Sequence, residues 1–243
     1  MNGLTALFWR EFASYFRTPV AAVVLVAFVT AAGVVPFWLG GFFERGQADL
    51  RSAFAFHPWL YLVFVPAIAM RLWAEDRRTG TTELLATLPI TRSAAILGKF
   101  LAGWAFIGLA LVLTMPIWVA ITWLGAPDHG VVLAGYLGSL LLAGAYLAIG
   151  SAASAATDSQ VVAFVVAVGL GLVLTVPGAP LVVGTLGGLV PVWLVEGLAG
   201  LSLLSRFEAI HRGVLDFRDI VYFLSTIGLF LTITHAVLEA ETA

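Results

Sequence analysis

The sequence predicts an all-α, polytopic membrane protein with six transmembrane helices. The first observation is composition, because 61% of the residues are hydrophobic and 11% are charged, whereas a soluble domain carries about 25% charged residues. The second is a set of uncharged runs, each reaching the roughly 20 residues that span a bilayer; they cover residues 20–43, 100–127, 131–157 and 159–195. The third is a compact charged stretch at residues 70–90, which must lie outside the bilayer because charges are costly inside it.

Composition also limits the function. The net charge of −2 argues against a nucleic-acid partner, and a chain without cysteine has neither disulfides nor a cysteine-ligated metal. The N-terminus lacks the plan of a cleaved signal peptide because Arg10 and Glu11 interrupt it before any apolar core. We therefore expect one uncleaved transmembrane domain over residues 1–243, in contact with the lipid bilayer.

The first 18 residues predict a helix that lies at the membrane interface. Apolar residues recur at helical spacing from Leu4 to Tyr15, while Arg10 and Arg17 share another side. The alternative is that this stretch forms the first turns of the first span. Pro19 suits the start of a new helix because its missing N–H costs nothing there.

Six spans follow from the apolar runs and the turn residues between them. We expect Pro66 to bend the second span and Pro116 to lie within the third. In chain order the predicted spans are 20–38, 53–73, 95–124, 131–156, 161–176 and 220–238.

The uncharged run over residues 159–195 is too long for one span and barely long enough for two. Three prolines and several glycines crowd residues 177–191, and irregular backbone is tolerated at membrane depth only where protein or a watery cavity covers it. We favour a re-entrant or surface helix pair that runs through residue 204, within an extracytoplasmic segment over residues 178–218. A seventh span over residues 181–203 is the alternative.

The distribution of basic residues predicts the orientation. Six spans place both termini on one side of the membrane, and a cytoplasmic N-terminus gives seven basic residues inside against five outside. The inside set is Arg10, Arg17, Arg71, Arg77, Arg78, Arg92 and Lys99, and the outside set is Arg45, Arg51, Arg206, Arg212 and Arg218. Both termini and the charged stretch are therefore expected in the cytoplasm.

Catalytic motifs are missing from the sequence. Lys99 is the only lysine and stands outside any P-loop pattern, and the four histidines lack metal-ligand spacing. The carboxylates of Glu75 and Asp76, and of Asp216 and Asp219, lie among arginines, which predicts solvated faces. We expect no catalytic residue and no metal site in this chain.

Glu196 stands in an apolar, glycine-rich stretch. An ionisable side chain at membrane depth is a functional candidate by default, whereas at the outer surface it is simply hydrated, and we favour the second interpretation. With Arg206, Glu208 and Arg212, Glu196 makes up the set that we expect at an extracytoplasmic gate or partner contact.

Three stretches carry a family resemblance: residues 8–19, 73–89 and 206–216. The second reads W-A-E-D-R-R-T-G-T-T-E-L-L-A-T-L-P and resembles the signature E-E-R-x-x-G-T-x-E-L-L-x-x-x-P of the membrane subunits of type-2 ABC exporters. Within that family the chain looks most like the gliding-motility (GldF-like) permease. It departs from the pattern at Asp76, where a second glutamate is usual, and at its C-terminus, which is acidic where a basic end is usual.

The resemblance implies a permease subunit that a separate ABC ATP-binding subunit drives. ATP and Mg would be bound by that partner, with no cofactor on this chain, and a coupling helix would lie in the cytoplasmic loop 74–92. Gly80 or Thr81 can cap such a helix, and its leucines would fill a groove on the partner; alternatively the leucines contact lipid and the arginines contact headgroups. The predicted contact residues are Glu75, Arg77, Arg78, Thr81, Glu83, Leu84, Leu85 and Leu88.

The same resemblance implies an exporter of the bacterial inner membrane with two permease copies, as a homodimer or with a homologous permease. Gly184 and Gly188 form a GxxxG pair that gives weak support to a dimer seam. An auxiliary membrane or periplasmic protein is a further possible partner. The rival hypothesis is a non-transporting membrane scaffold that passes ATP-driven motion to an extracytoplasmic partner.

Overall fold

The computed structural model describes residues 3–38, 49–81, 91–188 and 190–240, with the side chain of Leu186 excepted. Within these ranges the chain is helical and contains no strand. The helices are, in chain order, Gly3–Tyr15, Pro19–Trp38, Arg51–Ala55, His57–Ala69, Ala74–Arg78, Arg92–Val112, Met115–Leu124, His129–Ala155, Gln160–Thr175, Pro180–Leu186, Val192–Gly200, Leu203–His211 and Phe217–Ala240, with a 3-10 turn at Val176–Gly178.

Six stretches of the described chain are long and apolar enough to cross a membrane, which confirms the predicted fold class. They are Pro19–Trp38, Arg51–Arg78, Arg92–Leu124, His129–Ala155, Gln160–Gly178 and Phe217–Ala240, called here the first to the sixth span. The fourth span is the core of the bundle, because 78% of the residues in its apolar stretch are buried, against 22% for the sixth span. The second, third, fifth and sixth spans pack against the fourth, while the first span packs on the second and third.

Small residues let neighbouring helices approach the fourth span closely. A Cβ added at Gly150 would lie 2.3 Å from the Cβ of Ala69, and one added at Gly135 would lie 2.3 Å from the ring of Phe54. Without glycine at these positions the second and fourth spans could not reach this separation, since close backbone approach in membrane bundles depends on small residues.

The N-terminal helix, Gly3–Tyr15, is separate from the first span. A turn follows Tyr15, and the next helix begins at Pro19. Leu7 packs on Gly98 and Tyr15 stacks on Phe106 at 4.8 Å between ring centroids. The apolar face of this helix therefore lies along the beginning of the third span.

The third span, predicted at residues 95–124, is observed at Arg92–Leu124 and consists of two helices. Arg92–Val112 ends before Thr114, and Met115–Leu124 carries Pro116 in its first turn. Proline cannot donate the backbone hydrogen bond that would continue the first helix. Thr114 donates its hydroxyl to Leu111 O at 2.7 Å instead.

The segment before the sixth span forms three short helices, Pro180–Leu186, Val192–Gly200 and Leu203–His211. None of them is long enough to cross a bilayer, so the alternative of a seventh span over residues 181–203 has no support among the described residues. Gly188 follows the end of the first of these helices. The GxxxG pair therefore does not lie on one helical face.

Candidate functional site

The charged stretch contains a short helix, Ala74–Arg78, which we call the island helix; it forms the last part of the Arg51–Arg78 stretch, and the name second span is used below for residues 51–73. The order of its charged residues suits the helix dipole, because Glu75 and Asp76 lie in the first turn and Arg77 and Arg78 lie in the last. Gly80 follows with a φ of 70°, a left-handed conformation that glycine adopts at little cost after a helix end. The island helix thus begins directly after the second span and ends within five residues.

Ser154 of the fourth span caps the island helix from outside. Its hydroxyl accepts hydrogen bonds from the backbone N–H groups of Trp73 at 3.1 Å and Ala74 at 3.0 Å, and donates to Met70 O at 2.9 Å. The indole Nε1 of Trp73 donates to Ser151 Oγ at 3.1 Å. These contacts satisfy backbone groups that a helix end leaves unpaired, and they fix the island helix to the core of the bundle.

Lys99 of the third span is the second anchor. Its side chain is 3% exposed, and its Nζ lies 2.6 Å from Asp76 Oδ2 and 2.8 Å from Leu72 O, to which it donates. Glu11 Oε1 of the N-terminal helix lies 3.6 Å away, and the ring centroid of Trp73 lies 5.1 Å away. A buried ammonium group is stable only when it is paired and hydrogen-bonded, and here both conditions are met.

A small cleft of about 50 Å³ lies between the N-terminal helix, the beginning of the first span and the end of the second span. Arg71 binds Glu75 on one side of it through two hydrogen bonds of 2.7 and 3.0 Å. Tyr15 lies on the other side, and burial raises the pKa of its hydroxyl; Glu11 raises that pKa further, while Arg71 lowers it. Tyr15 therefore stays protonated in the physiological pH range.

Thr79 and Thr81 close the far side of the island helix. The hydroxyl of Thr79 donates to Glu75 O at 2.9 Å, and the hydroxyl of Thr81 donates to Asp76 Oδ1 at 3.0 Å. The chain that enters residues 82–90 is thereby tied to the same carboxylate that pairs with Lys99.

Among the eight residues predicted to contact an ATP-binding subunit, four lie in the described chain. Glu75 is paired with Arg71, Arg77 is half-buried, Arg78 is exposed, and Thr81 is tied to Asp76. The other four lie outside the described residues: Glu83, Leu84, Leu85 and Leu88.

Two of the carboxylates predicted to be solvated are not. Asp76 pairs with the buried Lys99, and Asp219 is 4% exposed and lies 3.2 Å from Arg206. The prediction was wrong because it counted arginines nearby in sequence, whereas a lysine 23 positions after Asp76 provides the partner. The chain's only lysine, placed where an apolar span begins, was the available signal for this site.

The residues predicted for the opposite end of the bundle do not form one cluster. Glu196 is exposed and forms no hydrogen bond or ion pair with the described part of the chain. Glu208 and Arg212 form an exposed pair within one helix at 3.3 Å. Arg206 is the structural member of the set, because it binds Asp219 of the sixth span.

Arg206 holds the short helices against the sixth span. Its Nε donates to Gly200 O at 3.0 Å, and its guanidinium carbon lies 5.5 Å from the ring centroid of Tyr222, whose hydroxyl donates to Leu201 O. Ser202 donates to the carbonyl oxygen of Thr175 at 2.7 Å. The short helices are thus hydrogen-bonded to both the fifth and the sixth span.

Sequence comparison agrees with the resemblance at the family level. The profile described as "ABC-2 family transporter protein" matches residues 6–217. One relative, heme exporter protein B of Rhodobacter capsulatus, is 33% identical over 106 residues, which is 43% of this chain. The chain spans about half the length of that relative, since the matched part covers 47% of it.

Proposed function

Since this chain belongs to the ABC-2 family of transporter membrane proteins, we propose that it is the permease subunit of an ATP-driven exporter. A separate ABC subunit would bind ATP and Mg and drive export across the bacterial inner membrane. The gliding-motility type within this family is part of the same proposal.

The observation that carries the proposal is the anchoring of the island helix. A force applied at residues 74–92 reaches the third span through Lys99 and the fourth span through Ser154, because both side chains hold backbone at the end of the second span. The exposed Arg78 and Thr79 leave the outward side of the helix available to a partner. A charged helix that is rigidly fixed to the bundle suits a permease on which a partner subunit must exert force.

The orientation follows from the same assignment. The island helix, the N-terminal helix and the end of the fourth span meet at one end of the bundle. We place this end in the cytoplasm, so both termini are cytoplasmic. A tag at Ala243 should then be protected from protease in intact cells, and digestion from outside would contradict the orientation.

Replacement of Leu84 and Leu85 with aspartate tests the coupling assignment. Two carboxylates cannot enter an apolar groove without a large desolvation cost, so co-purification of the ATP-binding subunit should be lost while membrane insertion is kept. Co-purification at the wild-type level would contradict the assignment.

The matched control replaces Val214 and Leu215 with aspartate. These two residues are also adjacent and apolar, they are 60% and 47% exposed, and they lie in the polar turn at the opposite end of the bundle. Co-purification of the ATP-binding subunit should be unchanged in this variant. A loss in both variants would indicate a general effect of added charge.

The substrate class that we propose is amphipathic or lipid-like, because the spans are strongly apolar. The matched relative is named a heme exporter, so heme joins lipids among the compounds to test. Stimulation of ATP hydrolysis by such a compound would favour export. Stimulation only by an extracytoplasmic protein would favour the scaffold hypothesis.

We further propose that the transporter contains two permease copies, in which the 178–218 segments form the extracytoplasmic gate. Glu196 and Arg212 are the exposed charged candidates for a contact there. Crosslinking between copies through a cysteine introduced at residue 196 would test this arrangement, because the natural chain contains no cysteine.

A further inference from the structure

A continuous series of polar contacts runs from the loop to the N-terminal helix through one buried ammonium group. Thr81 Oγ1 donates to Asp76 Oδ1 at 3.0 Å, and Asp76 Oδ2 lies 2.6 Å from Lys99 Nζ. That nitrogen lies 3.6 Å from Glu11 Oε1, which Arg10 contacts at 2.6 Å. The series joins three elements that are far apart in sequence.

Apolar packing between the N-terminal helix and the end of the second span is incomplete. The cleft of about 50 Å³ lies between them and the beginning of the first span, and it is lined by Tyr15 of the N-terminal helix, Ala21 of the first span, and Ile68 and Leu72 of the second span. The cleft therefore limits direct apolar contact between these two elements. Lys99 links the two elements through polar contacts, since its Nζ lies 3.6 Å from Glu11 of the N-terminal helix and donates to Leu72 O of the second span.

The ammonium group of Lys99 has both a hydrogen-bond acceptor and a charged partner, so its position and its charge are both stabilised. Lys99 donates to Leu72 O at 2.8 Å, and Asp76 pairs with it from the next helical element. Removal of one member of a buried ion pair leaves a charge with no compensation. The pair therefore favours conformations in which the island helix stays seated on the third span.

We propose that Lys99 is a positioning residue that ties the island helix to the N-terminal helix, so that both move as one unit. This inference rests on the proposed function where it concerns ATP-driven motion, whereas the tie itself is a property of this chain alone. Without the tie, the ATP-binding subunit would still bind and hydrolyse ATP, and its motion would still reach the fourth span through Ser154, but the N-terminal helix and the third span would no longer follow the island helix.

The tie can be measured in the isolated full-length chain in nanodiscs. Cysteines introduced at Thr5 and Arg78, both exposed, carry spin labels, and the natural chain has no cysteine to interfere. The wild-type background should give a narrow distribution of distances between the labels. Lys99→Met, which keeps the apolar stem and removes the charge, should broaden it.

Arg212→Met is the matched control. It also removes one basic partner of an ion pair, but that pair is exposed and lies in the short helices before the sixth span. The distance distribution should stay narrow in this variant. A narrow distribution in folded Lys99→Met would overturn the inference.

A second measurement uses the complex with the ATP-binding subunit. At equal association and equal ATP hydrolysis, Lys99→Met should reduce the amount exported per ATP hydrolysed several-fold. An unchanged ratio would overturn the inference and leave the proposed function intact. Failure of any ATP-binding subunit to associate with the wild-type chain would instead overturn the proposed function.

Asp76→Asn provides a second variant in case Lys99→Met does not fold. Its amide oxygen can still accept a hydrogen bond from Lys99, while the negative charge is gone. We expect a smaller broadening and a smaller loss of export per ATP in the same direction. Wild-type behaviour in both measurements would contradict the role of the pair.

Discussion

The hydroxyl of Ser154 donates a hydrogen bond to Met70 O at 2.9 Å, across the interface between the fourth and second spans. Ser154 Oγ also accepts hydrogen bonds from the backbone N–H groups of Trp73 and Ala74. One side chain therefore replaces, from another helix, the hydrogen bonds that are lost where the second span breaks and the island helix begins. The break is a fixed corner of the fold, which gives the charged loop a defined starting direction.

Ser154→Ala should destabilise the protein by about 1–3 kcal/mol, because it leaves buried backbone donors without an acceptor. The measurement is the apparent melting temperature in mild detergent, read from the monodisperse fraction after heating. Ser14→Ala is the control, since the Ser14 hydroxyl is exposed and bonds within its own helix to Glu11 O. Equal melting temperatures for the two variants would contradict the capping role.

The positions of the spans could be predicted from the sequence because the bilayer imposes a simple rule. Apolar runs of sufficient length must become helices there, and the fourth span, predicted at 131–156, is observed at His129–Ala155. The points at which proline interrupts a helix were harder to predict. Pro116 divides the third span into two helices, which a hydropathy pattern does not record.

The candidate site was predicted only in part because its polar contacts are non-local. The sequence places charge at residues 70–90, but it does not state which serine of the fourth span meets the backbone at Trp73. The pairing of Lys99 with Asp76 likewise depends on how the second and third spans pack. Local pattern predicts where charge lies, while tertiary packing decides which charges are buried.

Gly150→Ala should separate the second and fourth spans. Its new Cβ would lie 2.3 Å from the Cβ of Ala69, so one helix must shift, and such overpacking costs about 1–3 kcal/mol. We expect a lower melting temperature in detergent. Gly169→Ala is the control, because nothing lies within 4 Å of its new Cβ, and alanine in a helix is about 1 kcal/mol better than glycine. A melting temperature for Gly150→Ala at or above that of Gly169→Ala would contradict the close contact.

Arg206→Met should release the short helices from the sixth span. It leaves the buried carboxylate of Asp219 without its partner, and a loss of about 1–2 kcal/mol in local stability would raise the open fraction by roughly 5–30-fold. Proteinase K cleavage within residues 200–216, followed by mass spectrometry in nanodiscs, measures that fraction. Arg212→Met should change it little, because its pair with Glu208 is exposed. Equal cleavage rates in the two variants would show that Arg206 is not a latch.

His211 predicts a pH dependence at the same segment. Burial is the main cause that lowers the pKa of its imidazole; a hydrogen bond with Phe207 O and the charge of Glu208 raise that pKa, and Arg212 and Arg51 lower it. The folded state therefore prefers the neutral ring more than the unfolded chain does. The contribution of His211 to stability is fully present above its unfolded pKa of about 6.5 and is lost as the pH falls towards the lower folded pKa.

Cleavage by proteinase K within residues 200–216 should consequently be faster at pH 5.5 than at pH 7.5, after correction for the activity of the protease. His211→Phe keeps an aromatic ring against Phe207 but cannot take up a proton, so its cleavage rate should lose this pH dependence. His235→Asn is the control, since His235 is partly exposed near the C-terminal end of the sixth span, and it should retain the wild-type dependence. A pH dependence that persists in His211→Phe would assign the titration to another group at that end of the bundle, because the imidazole of His211 would then contribute nothing to it.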